Sequence, residues 1–206
     1  METVSSKNIA AVILAAGAST RMGEPKQLLK WGSTNLIGHA IETVAALNFK
    51  DIFLVLGSHY NEISQKIQQD KITILKNNNW QQGLGTSIAC AMQNILDINL
   101  QVNGVLIVLC DQPFITVEFL NKMLSEFEVD KKQIITTAYQ DGKKGVPALF
   151  DSYYFESLRL LKDDQGAKDL IQKFGSHTQV LKPSTENYDL DTKEDYANLY
   201  SVNFKS

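Results

Sequence analysis

The protein has 206 residues, 44% of them hydrophobic and 21% charged, so it can bury a real core and is not a disordered chain. With 20 Lys and Arg against 23 Asp and Glu, the net charge of −3 excludes general binding to nucleic-acid polymers or anionic membranes, while leaving room for a local basic site. Its 2 cysteines, Cys90 and Cys110, exclude a disulfide framework and a four-cysteine zinc site. The apolar run at 9–16 is too short for a membrane span and leads into charged residues, so a cytoplasmic location is expected.

In chain order, apolar runs rich in β-branched residues at 9–14, 52–56, 72–75 and 105–109 read as buried parallel strands. Between them lie amphipathic stretches. Leu36, Ala40, Ile41, Val44 and Leu47 repeat at helical spacing, with Ser33 or Thr34 as the expected cap. Ile88, Met92, Ile95 and Leu96 repeat likewise, as do Phe119, Leu120, Met123, Leu124 and Phe127, the latter capped by Thr116. Further on, 133–139 and 146–150 read as a hairpin around a turn at 141–145. Helices at 153–161 and 167–174, a strand at 179–182 and a short helix at 194–199 complete the pattern. Alternating strands and helices with no linker or repeat predict one α/β domain over 1–206, a Rossmann-like three-layer sandwich with a mostly parallel central sheet.

The loop after the first strand reads Leu14-Ala15-Ala16-Gly17-Ala18-Ser19-Thr20-Arg21-Met22-Gly23-Glu24-Pro25-Lys26. It lies where α/β sheets place ligands. Small residues let a ligand approach the backbone, and Gly17 is expected to take a conformation other residues avoid. Arg21 and Lys26 bring a charged fork and a point charge that suit a triphosphate. The spacing fits neither a P-loop, since five residues separate Gly17 from Gly23, nor the dinucleotide fingerprint, which also excludes a nicotinamide-dependent dehydrogenase. From composition alone, an ordinary strand-to-helix turn with solvated Arg and Lys stays open.

This loop resembles the opening motif of the MobA-like nucleotidyltransferases. Asn79-Trp80-Gln81-Gln82-Gly83-Leu84-Gly85-Thr86-Ser87, Leu109-Cys110-Asp111-Gln112-Pro113 and Asp189-Leu190-Asp191-Thr192-Lys193-Glu194-Asp195 resemble later family motifs in the same order. Gly145-Val146-Pro147-Ala148-Leu149-Phe150 and Gln165-Gly166-Ala167-Lys168 match too, so the likeness spans about 9–199. It implies a nucleotide-diphospho-sugar transferase type of fold and transfer of a nucleotide to the phosphate of molybdopterin, releasing pyrophosphate with Mg²⁺. It further implies that Leu14, Ala15, Ala16 and Gly17 cradle the nucleotide, and that Gly83, Gly85, Thr86 and Ser87 meet its base or the acceptor's edge. Arg21 and Lys26 would hold the departing pyrophosphate. Ala16 gives the Leu-Ala-Ala-Gly form of the cytidylyltransferase branch, which implies CTP, whereas Leu-Ala-Gly-Gly marks the guanylyltransferase branch. Sugar-phosphate or isoprenoid-precursor acceptors stay open, as do a nucleotide-binding regulator without turnover and handover of product to a molybdoenzyme or its chaperone.

Asp111 follows a buried run at the carboxyl end of a strand, where a carboxylate can hold Mg²⁺ together with substrate phosphates. Asp189 and Asp191 flank Leu190 on a short extended segment and are expected to face opposite sides of it, so that one alone reaches the site. The resemblance favours Asp191 as the second metal ligand, with Asp189 as the fallback and capping of the final helix as the plainer role of the pair. Local capping is likewise the plainer role of Thr86 and Ser87, and packing that of Trp80. His39, His59 and His177 share no metal spacing, Cys110 reads as buried filler and Cys90 as helix core. Lys143 and Lys144 read as a solvated turn or as contacts to an acceptor phosphate; the resemblance favours Lys168 more.

Overall fold

The computed structural model describes residues 7–67, 71–139, 142–163, 166–185 and 188–204. Met1, Asp141 and Gln165, on which parts of the sequence reading fell, lie outside the described residues.

Among the described residues, seven strands form the central sheet. The first, β1 (Ile9–Ala15), is buried along its whole length. It is followed by a two-stranded hairpin, β2 (Lys30–Trp31) with β3 (Thr34–Asn35), then helix α1 (Leu36–Ala45). Next come β4 (Ile52–Leu56), the short α2 (Tyr60–Ser64), β5 (Ile72–Lys76), α3 (Leu84–Asp97) and β6 (Gly104–Leu109). Helix α4 (Val117–Glu126) leads to the hairpin of β7 (Ile134–Ala138) and β8 (Lys144–Asp151). Then α5 (Phe155–Arg159), α6 (Lys168–Lys173), β9 (Thr178–Leu181) and α7 (Lys193–Phe204) follow. The strand order is β5-β4-β1-β6-β8-β7-β9, and among the described residues only β8 runs against the others: β1 pairs parallel with β4 and β6, and β8 is antiparallel to both β6 and β7.

Side chains alternate across β1, which is why one strand feeds two cores. Ile9, Ala11, Ile13 and Ala15 pack with Ile37 and Ile41 of α1, Ile63 of α2, and Phe119 and Met123 of α4. Ala10, Val12 and Leu14 pack on the other face with Ile88, Met92 and Ile95 of α3, Leu158 of α5 and Leu170 of α6. The result is the three-layer, mostly parallel α/β architecture expected.

Two local expectations change. The cap of α1 is Asn35, whose Oδ1 accepts from Gly38 N at 2.8 Å; Thr34 is instead committed to the β2–β3 hairpin opposite Trp31. The last helix runs on to Phe204, because Tyr196, Leu199, Tyr200 and Phe204 gather around Trp31. The Thr116 cap is present, accepting from Phe119 N at 3.2 Å. Among the described residues, no helix is long and apolar enough to cross a membrane.

Chain order places the site. From β1 the chain moves outward through β4 and β5, then α3 carries it back across the opposite face to β6, on β1's other side. The order reverses between β1 and β6, so a crevice opens beyond their carboxyl ends. Leu14–Gly17 and Leu109–Asp111 lie there.

Candidate active site

A cavity of about 340 Å³ occupies that crevice, bounded by Leu14, Ala15, Ala16 and Gly17 on one side and Leu109, Cys110 and Asp111 on the other. Lys26, Gly83, Ser87 and Trp80 complete much of its wall. A Cβ added to Gly17 would meet nothing within 4 Å, so this glycine leaves space for a ligand rather than for neighbouring protein. The left-handed backbone of the loop falls on Ser19 (φ 55°) and Gly23 (φ 72°), not on Gly17 as expected.

Gln27, which sequence patterning did not single out, shapes the loop. Its side chain is 1% exposed. Nε2 donates to Ala15 O at 3.0 Å and to Gly17 O at 2.9 Å, while Oε1 accepts from Ser19 Oγ at 3.3 Å. Ser19 Oγ in turn accepts from Lys26 N at 3.0 Å, so both ends of the loop are tied together.

Four charged residues from distant parts of the chain meet at the cavity mouth. Lys26 Nζ lies 2.6 Å from Asp111 Oδ2 and 3.0 Å from Asp191 Oδ1, and donates to Leu190 O at 3.1 Å. Arg21 Nη2 reaches Asp191 Oδ2 at 3.2 Å from a largely exposed position outside the cavity wall. Burial alone would lower the Lys26 pKa, but the Asp111 carboxylate, with Asp191, overrides it and holds the ammonium well above the ordinary lysine value. For Asp191, burial pushes upward, yet Lys26 and Arg21 outweigh it and keep the carboxyl below its usual value.

Asp189 and Asp191 do not split to opposite sides. Residues two apart in extended chain project together. It is Leu190 between them that turns inward, fully buried in the cluster with Trp31 and Leu36, its N–H bonded to Asp111 O at 3.0 Å. Asp189 Oδ1 accepts from Gln112 Nε2 at 2.8 Å. Protein packed around the carboxyl, and then the nearby Asp111 charge, raise the Asp189 pKa above its ordinary 3.8, an effect that water weakens because the residue stays exposed. Ionising this carboxyl therefore costs more in the folded state, and that cost grows as pH rises from about 3.8 through the folded-state pKa. Asp189→Asn keeps an acceptor for Gln112 and removes the charge. It is expected to melt slightly higher than the parent at pH 7, the effect kept small by solvent at this exposed residue, with the gap closing as pH falls below the ordinary carboxylate range. Thermal melts across pH check this, and a gap independent of pH would refute it.

The glycine-rich start of α3 divides in two. Gly83 and Ser87 face the cavity, whereas Gly85 and Thr86 do not. Gly85 N donates to Asp163 O at 2.8 Å, and a Cβ there would lie 2.6 Å from Lys162 O, so its small size serves a close backbone approach. Thr86 Oγ1 donates to Gly83 O at 2.8 Å and accepts from Asn77 Nδ2 at 3.0 Å. Asn77, buried and also bonded to Ser87 Oγ at 3.0 Å, thus clamps the helix start to the end of β5. Trp80 packs over Gly57, where an added Cβ would lie 2.5 Å from Trp80 Cβ, and it lines the cavity as well. Cys110 is buried, and burial followed by the Asp111 charge raises its thiol pKa, so it is no nucleophile at neutral pH. Cys90 is only half-buried at the edge of α3. His39 is engaged with Pro113 O at 2.9 Å.

A second cavity of about 270 Å³ adjoins the first, sharing Leu84 and Leu109 as walls. Tyr139, Lys143, Lys144, Lys168 and Asp189 surround it.

Among the described residues no three carboxylate, His or Cys groups form a ready metal cluster. The two carboxylates Asp111 and Asp191 nevertheless suit a hard divalent cation completed by phosphate oxygens. Asp111 Oδ1 is buried without a hydrogen-bond partner, which leaves one carboxylate oxygen for such an ion.

A cavity at the reversal point of an α/β sheet, a cationic pair at its mouth and two acidic side chains, one just beyond β6 and one from the segment that leads into α7, define a nucleotide-handling enzyme. Comparison with known proteins narrows the class. The MobA-like NTP transferase domain matches residues 11–180. A probable molybdenum cofactor guanylyltransferase of Natranaerobius thermophilus is 29% identical over 95% of this chain and 91% of its own length. The nicotine blue oxidoreductase of Paenarthrobacter nicotinovorans is 29% identical over 90% and 93%. The molybdenum cofactor cytidylyltransferase of Escherichia coli K12 is 33% identical over 57% and 58%. Two structures of Rv0371c from Mycobacterium tuberculosis H37Rv, one of them a complex with manganese, align over 95% of this chain at 26% and 25% identity, covering 98% and 99% of those chains, with TM-scores of 0.81 and 0.76. The chain belongs to the MobA-like NTP transferase family and is a nucleotidyltransferase.

Proposed function

We propose that residues 1–206 act as one domain that moves CMP from CTP onto the terminal phosphate of molybdopterin, with Mg²⁺ and release of pyrophosphate. The observation that carries this reading is Lys26 set between Asp111 and Asp191 at the mouth of the nucleotide-sized cavity. Binding a base alone would need neither the cations nor the carboxylates. Bound at Asp111 and Asp191, Mg²⁺ would neutralise phosphate charge and polarise the phosphorus under attack.

The chain's own residues do the rest by positioning and by charge. Ala15, Ala16 and Gly17, held by Gln27, carry the nucleotide against the sheet edge. Lys26, with Arg21 outside the wall, supplies positive charge for the departing pyrophosphate. A phosphate monoester has a second pKa of about 6 and is mostly dianionic at neutral pH, so the acceptor attacks without a strong general base. Lys143, Lys144 and Lys168 around the second cavity offer charge to an anionic acceptor beside the first.

CTP rests on Ala16, whose methyl stands on the cavity wall where a larger purine needs room; one small group supports discrimination of about 1–3 kcal/mol. GTP is the competing reading, favoured by the similarity to the guanylyltransferase over nearly the full chain. The deciding experiment is pyrophosphate release with Mg²⁺, CTP or GTP, and molybdopterin or a panel of sugar and isoprenoid-precursor phosphates. Release from CTP with molybdopterin is expected. Preference for GTP would remove the base assignment, preference for another phosphate would replace the acceptor, and tight nucleotide binding with no release would make the chain a nucleotide-dependent regulator. The nicotine blue oxidoreductase shows that relatedness at this level does not fix the reaction, so a nicotinamide-oxidation assay belongs beside it.

A further inference from the structure

We propose that Lys26 is the resting occupant of the divalent-cation seat, and that the metal enters only with nucleotide phosphates, which draw Lys26 away from the carboxylates. The proposal rests on the nucleotidyltransferase reading and adds to it an order of binding.

An ammonium group has three protons to donate. Lys26 donates to Asp191 Oδ1 at 3.0 Å and Leu190 O at 3.1 Å, and its charge pairs with Asp111 Oδ2 at 2.6 Å. Two carboxylates and a carbonyl are the hard oxygen donors that a divalent ion of this class takes. The side chain is 12% exposed, so water replaces little of what it would lose by leaving. A second cation entering between the same carboxylates would meet the ammonium at close range, where like-charge repulsion in a poorly screened site is large.

Free metal therefore has to break two hydrogen bonds and the Asp111 ion pair, and leave Lys26 beside it without compensation. A metal–triphosphate removes both costs, because its phosphate oxygens satisfy the ammonium and complete the metal's shell. Lys26 also lines the nucleotide cavity, so its flexible stem serves both positions. Arg21, paired with Asp191 at 3.2 Å, adds to the same block from outside.

The test measures binding of Mn²⁺ to metal-free protein from the electron paramagnetic resonance of the unbound ion, with and without non-hydrolysable α,β-methylene analogues of CTP and GTP. Wild type alone is expected to bind weakly, and at least tenfold more tightly with the accepted analogue. Lys26→Met, and Lys26→Gln as a variant that keeps a donor, are expected to bind Mn²⁺ without nucleotide at least tenfold more tightly than wild type. Variants that bind no better, while wild type still binds Mn²⁺ with the analogue, would overturn the exchange and leave the nucleotidyltransferase reading standing. Absence of Mn²⁺ binding in every arm would overturn both. In the wild type, the ¹⁵N resonance of Lys26 Nζ should move when Mg²⁺ and analogue are added together and stay in place with Mg²⁺ alone. Movement with Mg²⁺ alone overturns the proposal without recourse to any variant.

Discussion

Asp111→Asn is expected to lower the rate of pyrophosphate release about 10²–10³-fold at saturating nucleotide while the protein stays folded. Asn preserves the shape of the side chain and one oxygen, so packing at the end of β6 is undisturbed. What disappears is the negative charge that faces Lys26 at 2.6 Å and the carboxylate oxygen Oδ1, which has no hydrogen-bond partner. Removing one member of a buried ion pair can cost about 3–5 kcal/mol, but Lys26 keeps Asp191 and Leu190 O, and the cost here should be smaller. A fall in Tm of a few degrees beside a hundredfold loss of rate would separate chemistry from stability. Near-normal turnover would take Asp111 out of the reaction.

Most of the sheet was legible because buried parallel strands announce themselves as β-branched runs, and β1, β4, β5 and β6 fall within a residue of the segments read from sequence. The β2–β3 hairpin was not legible: two-residue strands are too short to show a period, and their place depends on Trp31 finding the aromatic residues of α7. The same contact explains why α7 outruns its predicted end, since its apolar residues answer a cluster rather than the main core. In the site, Arg21, Lys26, Asp111 and Asp191 were visible singly, through motif and charge. Their mutual pairing was not, because Lys26 and Asp191 lie 165 positions apart and meet only once the chain between them has folded. Gly85 and Thr86 read as ligand contacts, yet their groups are taken up locally by Asp163, Gly83 and Asn77. A glycine required by a neighbouring carbonyl and one required by a ligand look alike in one dimension.

Gln27 is the residue least legible and, for nucleotide binding, among the most consequential. Glutamine carries no period and no motif chemistry, and its burial at 1% exists only once the loop has closed over it. Gln27→Leu keeps nearly the same volume but removes the donors to Ala15 O and Gly17 O and the acceptor for Ser19 Oγ. Leaving a buried polar group unpaired costs about 1–3 kcal/mol, and Ala15 is buried whereas Gly17 is exposed to water, so the lower part of that range applies to the fold. The larger consequence is for the ligand. A loop no longer held in one shape has to be ordered by the nucleotide, and 1.4 kcal/mol of lost preorganisation is tenfold in affinity. KM for the nucleotide should therefore rise on the order of tenfold, with kcat within a few-fold of the parent, because Asp111, Asp191 and the Lys26 ammonium are untouched. Gln27→Glu should be worse, since it places an acceptor and a charge against two carbonyl oxygens. An unchanged nucleotide KM in Gln27→Leu would show that the loop holds its form without the strut. A loss confined to kcat would show instead that Gln27 acts on Lys26 through Ser19.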